Sequence, residues 1–433
     1  MQTNQPHFIE VGQIRVGLYI HLDLGWMDHP FTLSNFKVKD EEQITKIKQT
    51  GLKKLRYDPK RSDCEPMPLP KPASTAQAAS VATIAIAAEV IANEVTPAIA
   101  SKAERLKHLH HAIDENEKKF IIASDITRQI TRNIIISPKA SIEQATLMVN
   151  GMVDTALTEG DIVIHALNGN RSSDENYQHT LNVTVLSLIM AKSIEMTKED
   201  AQLLGLASIF HDLGKTEIPD KILMKKDPLT KSELSYYEQH SEIGARIAKE
   251  VGLPVRLAKI ILQHHELADG SGYPNSLKAN QTDQLARVIA LANGYDLLCN
   301  PNNMALAKTP YEALAYMYAN QRSKFDEPLL KSLIKSLGIY PPGSVVQLST
   351  GVHAVVISVN PGKPLRPFVM LHDPLAKRQE PLILDLREEP NTNISICLRP
   401  NQLPPDVLDY LNPRKRISYF IDADLPSNEV ATS

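Results

Sequence analysis

The chain has three cysteines in 433 residues, Cys64, Cys299 and Cys397. They lie far apart and in no metal-ligand spacing, so they read as the reduced thiols of a cytoplasmic protein. A large excess of charge of either sign is also lacking, with 47 Lys and Arg against 50 Asp and Glu. A formal net charge of −3 argues against a broad nucleic-acid-binding surface, although a few local cations would suffice for a small anionic ligand. No apolar run approaches a membrane span. The longest candidate, Val81 to Ala92, is short and contains Glu89. The opening residues, Met1-Gln2-Thr3-Asn4-Gln5-Pro6, lack a basic stretch followed by an apolar one, so no secretory signal is expected. What is present suits a globular protein of two or three domains, with 42% hydrophobic and 22% charged residues.

Residues 1–61 read as a small α/β unit. Short alternating apolar segments from Val11 to Ile20, broken by Gly12 and Gly17, predict strands. Asp40 to Gln49 has helical spacing, with Ile44 and Ile47 on one face, and Lys54-Leu55-Arg56-Tyr57 reads as a closing strand. Residues 62–83 form a linker, in which Pro66, Pro68, Pro70 and Pro72 precede small polar residues. Residues 84–138 read as connecting helices, with Leu106, Leu109, Ile113, Phe120 and Ile126 spaced as one apolar stripe. From 139 to 340 helix follows helix. Thr197 and the capping box Thr230-Lys231-Ser232-Glu233 mark two helix starts. After Tyr340-Pro341-Pro342-Gly343 the texture becomes β-branched, which predicts a small β domain over 341–400. Residues 401–433 carry no clear signal and are expected to form a partly disordered tail. The fold class is thus multidomain and mainly α: a central all-helical bundle, a small N-terminal α/β domain and a small C-terminal β domain.

Five of the 14 histidines fall between 179 and 265. His264-His265-Glu266 closes an apolar run, and Leu267-Ala268-Asp269-Gly270-Ser271-Gly272-Tyr273-Pro274 follows as a tight loop. Upstream stands His211-Asp212-Leu213-Gly214-Lys215, with Glu175, His179 and His240 at helical positions around it. Singly, each cluster is what an ordinary helix end looks like. Together, ligand-type residues on several apolar helices point to a metal centre. Imidazoles and carboxylates without thiolates suit divalent iron, manganese or zinc, iron or manganese ahead of zinc. A carboxylate beside an imidazole, as at Asp212, is able to bridge two ions. Two ions about 3.5–4 Å apart clamp the attacking and leaving oxygens of a phosphoryl transfer and lower the pKa of bound water. Lys215, one turn on, suits a phosphate oxygen, or equally a helix C-terminus. Tyr273 suits stacking on a base, or plain loop packing. Gly244, one turn beyond His240, would let a neighbouring backbone come close. The histidines at 21, 29, 108, 110, 111, 353 and 372 read as surface or structural.

Over residues 139–342 the sequence resembles the HD-GYP family, the branch of the HD metal hydrolases that cleaves cyclic di-GMP. His211-Asp212-Leu213-Gly214-Lys215 is similar to the family's HD-(I/L)-GK box. Ile218-Pro219-Asp220-Lys221-Ile222-Leu223 resembles the segment after it, and His264 to Pro274 resembles the GYP signature. Residues 8–60 are similar to a small domain often found ahead of HD-GYP, and 341–380 to a β tail often found behind it. The resemblance implies an HD-type bundle with His179, His211, Asp212, His240, His264 and His265 as metal ligands. It implies Glu175 as an extra carboxylate where a third metal binds. Asp212 and Lys215 would be catalytic, and Lys215, Asp269, Gly272, Tyr273 and Pro274 would meet the substrate. Two or three divalent ions would then hydrolyse cyclic di-GMP to linear pGpG or GMP through a metal-activated hydroxide. Signalling proteins would meet the N-terminal domain, and a homodimer is among the assemblies left open. DNA is not an expected partner.

Two departures stand out. The family's Val-Ala-Asp-x-(Tyr/Phe)-Asp-Ala-Leu segment reads Leu291-Ala292-Asn293-Gly294-Tyr295-Asp296-Leu297-Leu298 here, which puts Asn293 at the ligand position. The family's cationic Arg-Pro-Tyr-x-Lys-like stretch reads Asn302-Asn303-Met304-Ala305-Leu306. Both changes point to reduced activity, or alternatively to a degenerate member that serves as a nucleotide-sensing or protein-binding scaffold.

Overall fold

The computed structural model describes residues 7–22, 31, 35–49, 52, 54–67, 118–157, 163–166, 175–360, 363–373, 382–411 and 418–422. The chain divides into two compact units, Met1–His108 and Leu109–Ser433. The expected linker and the first part of the connecting helices, with His108, His110 and His111, fall outside the described residues beyond position 67.

The first unit contains β1 (His7–Glu10), β2 (Tyr19–His21), β3 (Asn35–Lys37), α1 (Glu41–Gln49) and β4 (Lys54–Tyr57). Its strands form one antiparallel sheet in the order β1-β4-β2-β3. The segment Lys54–Tyr57, expected to close the unit, lies inside the sheet. Ile44 and Ile47, three apart on α1, share a face and are buried with Leu18, Ile20 and Leu55. At Gly17 the backbone has φ +98°, and an added Cβ would lie 3.2 Å from Cys64 Sγ. Glycine there serves both the turn and the close packing.

The second unit begins with α2 (118–133), α3 (Pro138–Leu157) and the strand β5 (Val163–Ala166). The helices α4 (Glu175–Ser193), α5 (Lys198–Phe210), α6 (Asp220–Leu223), α7 (Lys231–Glu238) and α8 (His240–Glu250) follow. Then come α9 (Val255–Gln263), α10 (Gln284–Cys299), α11 (Pro310–Asn320) and α12 (Glu327–Leu337). Helix starts follow local chemistry. The Thr197 hydroxyl accepts from the Asp200 amide, and Thr230 with Glu233 and Thr309 with Glu312 complete reciprocal capping boxes. Helix α10 is buried on nearly all sides, including Leu285, Val288, Ile289, Leu291, Tyr295 and Cys299, as suits a central helix. It packs on α4, α9, α11 and α12.

Behind the helices stand β6 (Val345–Leu348), β7 (His353–Ser358), β8 (Phe368–Leu371), β9 (Ile383–Asp385) and β10 (Ile394–Leu398). A short helix α13 (Pro405–Leu411) and β11 (Tyr419–Asp422) end the described chain. The sheet runs β10-β6-β7-β5-β11, with β8 and β9 continuing from β7. One expectation is corrected. The region 139–340 is not purely helical, because β5 bridges to β7 at His165–Ser358 and pairs with β11 from Val163–Asp422 to Ala166–Tyr419. Secondary structure also extends further than the absence of a clear signal over 401–433 suggested: that segment supplies α13 and β11, while 412–417 and 423–433 lie outside the described residues. Four-residue strands with partners about 250 positions away leave almost no local signal.

Candidate metal centre

Three histidines of the centre sit at helix ends, and each uses the same local device. The last carbonyls of a helix have no intrahelical partner. His211 follows α5, and its Nδ1 donates to Ser208 O at 2.7 Å. His240 follows α7, with Nδ1 on Tyr237 O at 2.6 Å. His264 follows α9, with Nδ1 on Ile261 O at 2.6 Å. In each case the acceptor lies three residues back. This bond fixes the tautomer and turns a bare Nε2 lone pair away from the helix. His179 lies within α4, where no such carbonyl is free. Its Nδ1 bonds instead to Asp296 Oδ2 at 2.6 Å.

The Nε2 atoms converge on one carboxylate. Asp212 Oδ2 lies 3.3 Å from His211 Nε2 and 3.7 Å from His179 Nε2. Asp212 Oδ1 lies 3.5 Å from His240 Nε2 and 3.9 Å from His264 Nε2. His265 Nε2 is 3.1 Å from His240 Nε2, which is 3.4 Å from His264 Nε2. The donors thus fall into two groups that share Asp212: His179 with His211, and His240 with His264 and His265.

The electrostatics of the cluster favour cations. His240 and His264 each spend the Nδ1 proton on a backbone carbonyl, so their facing Nε2 atoms have lone pairs and no proton between them. His179 Nε2, His211 Nε2, Asp212 Oδ1 and Asn293 Oδ1 are buried with no hydrogen-bond partner. Orphaned buried acceptors are costly unless a donor or cation meets them. Burial pushes His240 down to about 4, against the pull of Asp212. Burial and the neighbouring imidazoles hold His264 and His265 well below the ordinary histidine range. These rings therefore stay neutral, as metal ligands must. Burial alone would raise the Asp212 carboxyl, but the neighbouring His211 and the Lys215 ammonium hold it well below the usual range. Lys215 Nζ bonds Asp212 Oδ2 at 2.6 Å. Burial disfavours its charge, and Asp212 more than offsets this. The donor set, with no thiolate, suits divalent cations, which the two histidine groups and Asp212 would hold.

The loop after His265 is held against the centre by buried contacts. Glu266 is 2% exposed and accepts the Asn275 and Leu277 amides, each at 2.7 Å. A Cβ on Gly272 would fall 2.3 Å from His265 O, so only glycine permits this closure. Tyr273 stacks on His265, with centroids 4.5 Å apart at 21°. Asp269 is exposed and accepts from the Ser271 amide and hydroxyl. The structure thus gives Asp269 and Gly272 roles inside the loop.

Residues 164–329 match the HD domain family, 7–145 a domain of unknown function, and 345–404 a KOW domain associated with the HD domain. The cyclic di-GMP phosphodiesterase PA4108 of Pseudomonas aeruginosa is 26% identical over 364 residues, 83% of this chain and 84% of that protein. The cyclic di-GMP phosphodiesterase response regulator RpfG of Xanthomonas campestris pv. campestris is 32% identical over 154 residues, 34% of this chain and 39% of that protein. Residues 164–329 thus carry an HD domain, and most of the chain is similar to a cyclic di-GMP phosphodiesterase. A solved HDG"Y"P protein from Bdellovibrio bacteriovorus aligns over 76% of this chain and 98% of its own, at 16% identity and a TM-score of 0.41. Among the described residues no helix is long and apolar enough to cross a membrane.

In this chain the structure brings His179, His211, Asp212, His240, His264, His265 and Lys215 together, with Tyr273 stacked on His265. Asn293 is 3% exposed and lies one turn before Asp296 on α10. Glu175 begins α4, and its side chain lies outside the described residues. Pro274 is half-buried beside Tyr273. Asp296, which sequence reasoning noted only as the second acid of its segment, holds His179. Its signal was a fully buried acid three residues from Asn293 on an apolar helix, legible only as a helix-face coincidence.

Proposed function

We propose that the chain is a metal-dependent phosphodiesterase that opens cyclic di-GMP to linear pGpG or GMP, with Asp212 bridging two divalent ions. The observation that carries this is the convergence of imidazole lone pairs on Asp212, with buried Nε2 and Oδ1 atoms left unpaired. The similarity to PA4108, a cyclic di-GMP phosphodiesterase that matches over most of both chains, supports the substrate. Iron or manganese suits the thiolate-free donor set better than zinc.

When bound, two such ions supply a water of lowered pKa and stabilise charge on the attacking and leaving oxygens. The chain's own residues do the rest. Asp212 presents one oxygen to each histidine group. The i−3 carbonyl bonds and Asp296 hold the imidazoles in the tautomer that offers Nε2. Lys215, a quarter exposed beside Asp212, places a fixed positive charge where a phosphate oxygen would enter. Tyr273, stacked on His265, forms a wall of the opening and keeps water from that side of the imidazole.

The loop near Asn302 favours a weak grip on substrate. The Asn302 amide donates to Leu223 O at 3.4 Å, and Asn303 caps the turn Met304–Leu306. Both side chains thus serve the loop, and among the described residues Lys215 is the cation bonded to Asp212. This is the feature that favours the scaffold alternative. The retained ligand set, which a scaffold does not need, favours hydrolysis.

Protein purified without oxygen should contain about two divalent ions and convert cyclic di-GMP to a linear product, followed by chromatography of the nucleotides. Replacing His211→Ala and Asp212→Ala together should remove metal and turnover at once. Full metal occupancy in the double variant would overturn the site. Two bound ions with no turnover would leave the metal centre and refute the hydrolase.

A further inference from the structure

A buried chain of polar groups runs from His179 to the last strand of the structure. Asp296 Oδ2 accepts from His179 Nδ1 at 2.6 Å. Asp296 Oδ1 accepts from Asn182 Nδ2 and Asn300 Nδ2, each at 2.8 Å. Asn182 Oδ1 in turn accepts the backbone N–H of Tyr419 at 3.3 Å. The Tyr419 hydroxyl meets that of Tyr295 at 2.7 Å, next to Asp296 on α10. Asp296, Tyr295 and Tyr419 are fully buried, and Asn182 is 1% exposed.

The direction of these bonds matters. A carboxamide has one acceptor end and one donor end. The Tyr419 N–H claims the acceptor end of Asn182, so its NH2 points at Asp296. With β11 elsewhere, Asn182 would lose the N–H that claims its acceptor end, and with it one of the bonds that aim its NH2 at Asp296. A buried network of this kind orients its members only while every bond is made. The strand itself stands at the end of the sheet, beyond β5. It also lies past the residues matched to the HD and KOW domains, which end at 329 and 404.

We propose that β11, through Tyr419 and Asn182, is a positioning element of the metal centre: it fixes Asp296, and so His179, and sets the affinity of the ion held by His179, His211 and Asp212 Oδ2. The ion held by His240, His264 and His265 has no bond to this chain of groups and should not respond. The inference rests on the metal centre proposed above.

The test is a manganese(II) titration of metal-free full-length protein, read by calorimetry and by electron paramagnetic resonance, with thermal unfolding alongside. Asn182→Ala should weaken one of the two ions by ~10–100-fold, the usual cost of losing an outer-shell partner, and leave the other unchanged. Tyr419→Pro removes the backbone N–H that Asn182 accepts and should weaken the same ion. Asn182→Asp keeps an oxygen for that N–H but has no N–H for Asp296, and should do the same. If Asn182→Ala does not fold, Asn182→Asp decides in its place. Parent-like binding of both ions in a folded variant, or equal weakening of both, would overturn the proposal. Failure of the parent itself to bind two ions would instead overturn the metal centre.

Discussion

At Asn293 a buried carboxamide oxygen without a hydrogen-bond partner stands one turn from Asp296. A carboxylate there would give a divalent ion a negative charge, whereas the amide offers only a neutral oxygen. Asn293→Asp should therefore tighten one metal and raise turnover, or create turnover in an otherwise inert protein. Loss of even an outer-shell partner costs ~10–100-fold, so the gain should be at least of that order. It should appear in kcat, because the cation-poor loop at Asn302 is untouched and KM should stay high. Equal metal content and equal rate in folded Asn293→Asp would remove this residue from the centre. Residue identity at the site was largely legible in the sequence, because His211, His240 and His264 each end or join a helix and carry their own orienting carbonyl. Asp296 was not, because its bond to His179 spans 117 positions and only the packing of α10 on α4 creates it. Glu266 was also opaque as a loop clasp, since its partners Asn275 and Leu277 are backbone amides.

At the scale of elements, one crossing decides whether the two donor groups meet. The 3-10 turn Leu213–Glu217 passes α8 so closely that a Cβ on Gly214 would fall 1.9 Å from His240 O and 2.5 Å from Gly244 N. Both obstacles are backbone and cannot rotate away. Gly214→Ala must push α8 outward, carrying His240 from Asp212. Overpacking of this kind commonly costs about 1–3 kcal/mol, and the metal group with His240 should weaken along with stability. Denaturant unfolding and metal analysis would show both losses, and a variant as stable and as metal-rich as the parent would refute the crossing. Gly244→Ala should be milder, because its Cβ meets Gly214 N and an Ile261 methyl at 3.0 Å. The sequence suggested a close approach at Gly244, and the structure places the tighter constraint on Gly214. Capping residues such as Thr197 and Thr230 made helix starts readable. The pairing of β5 with β11 was not, since neither strand has enough length to show a period.

At the scale of the whole molecule, the buried imidazoles tie stability to pH. His240 is depressed to about 4, and His264 and His265 also lie below the ordinary value of 6.5. In the unfolded chain these rings take protons near 6.5, whereas the folded chain resists. The unfolded state thus binds more protons as pH falls, and acid favours it. The stabilisation is full above about pH 6.5 and is lost progressively as pH falls towards 4. Asp212, held below its usual range, adds a loss of the same sign only at lower pH. For His240 alone the slope approaches ~1.4 kcal/mol per pH unit, or ~2 kcal/mol between pH 6.5 and pH 5. Bound metal adds to this trend, because its ligands must be deprotonated. Metal-free protein unfolded by urea at pH 7 and pH 5 isolates the histidine contribution. A midpoint clearly lower at pH 5 is expected, with a smaller difference in His240→Gln. Equal midpoints at the two pH values would mean that the folded chain protonates these imidazoles as readily as the unfolded chain does, and would refute their burial as neutral rings.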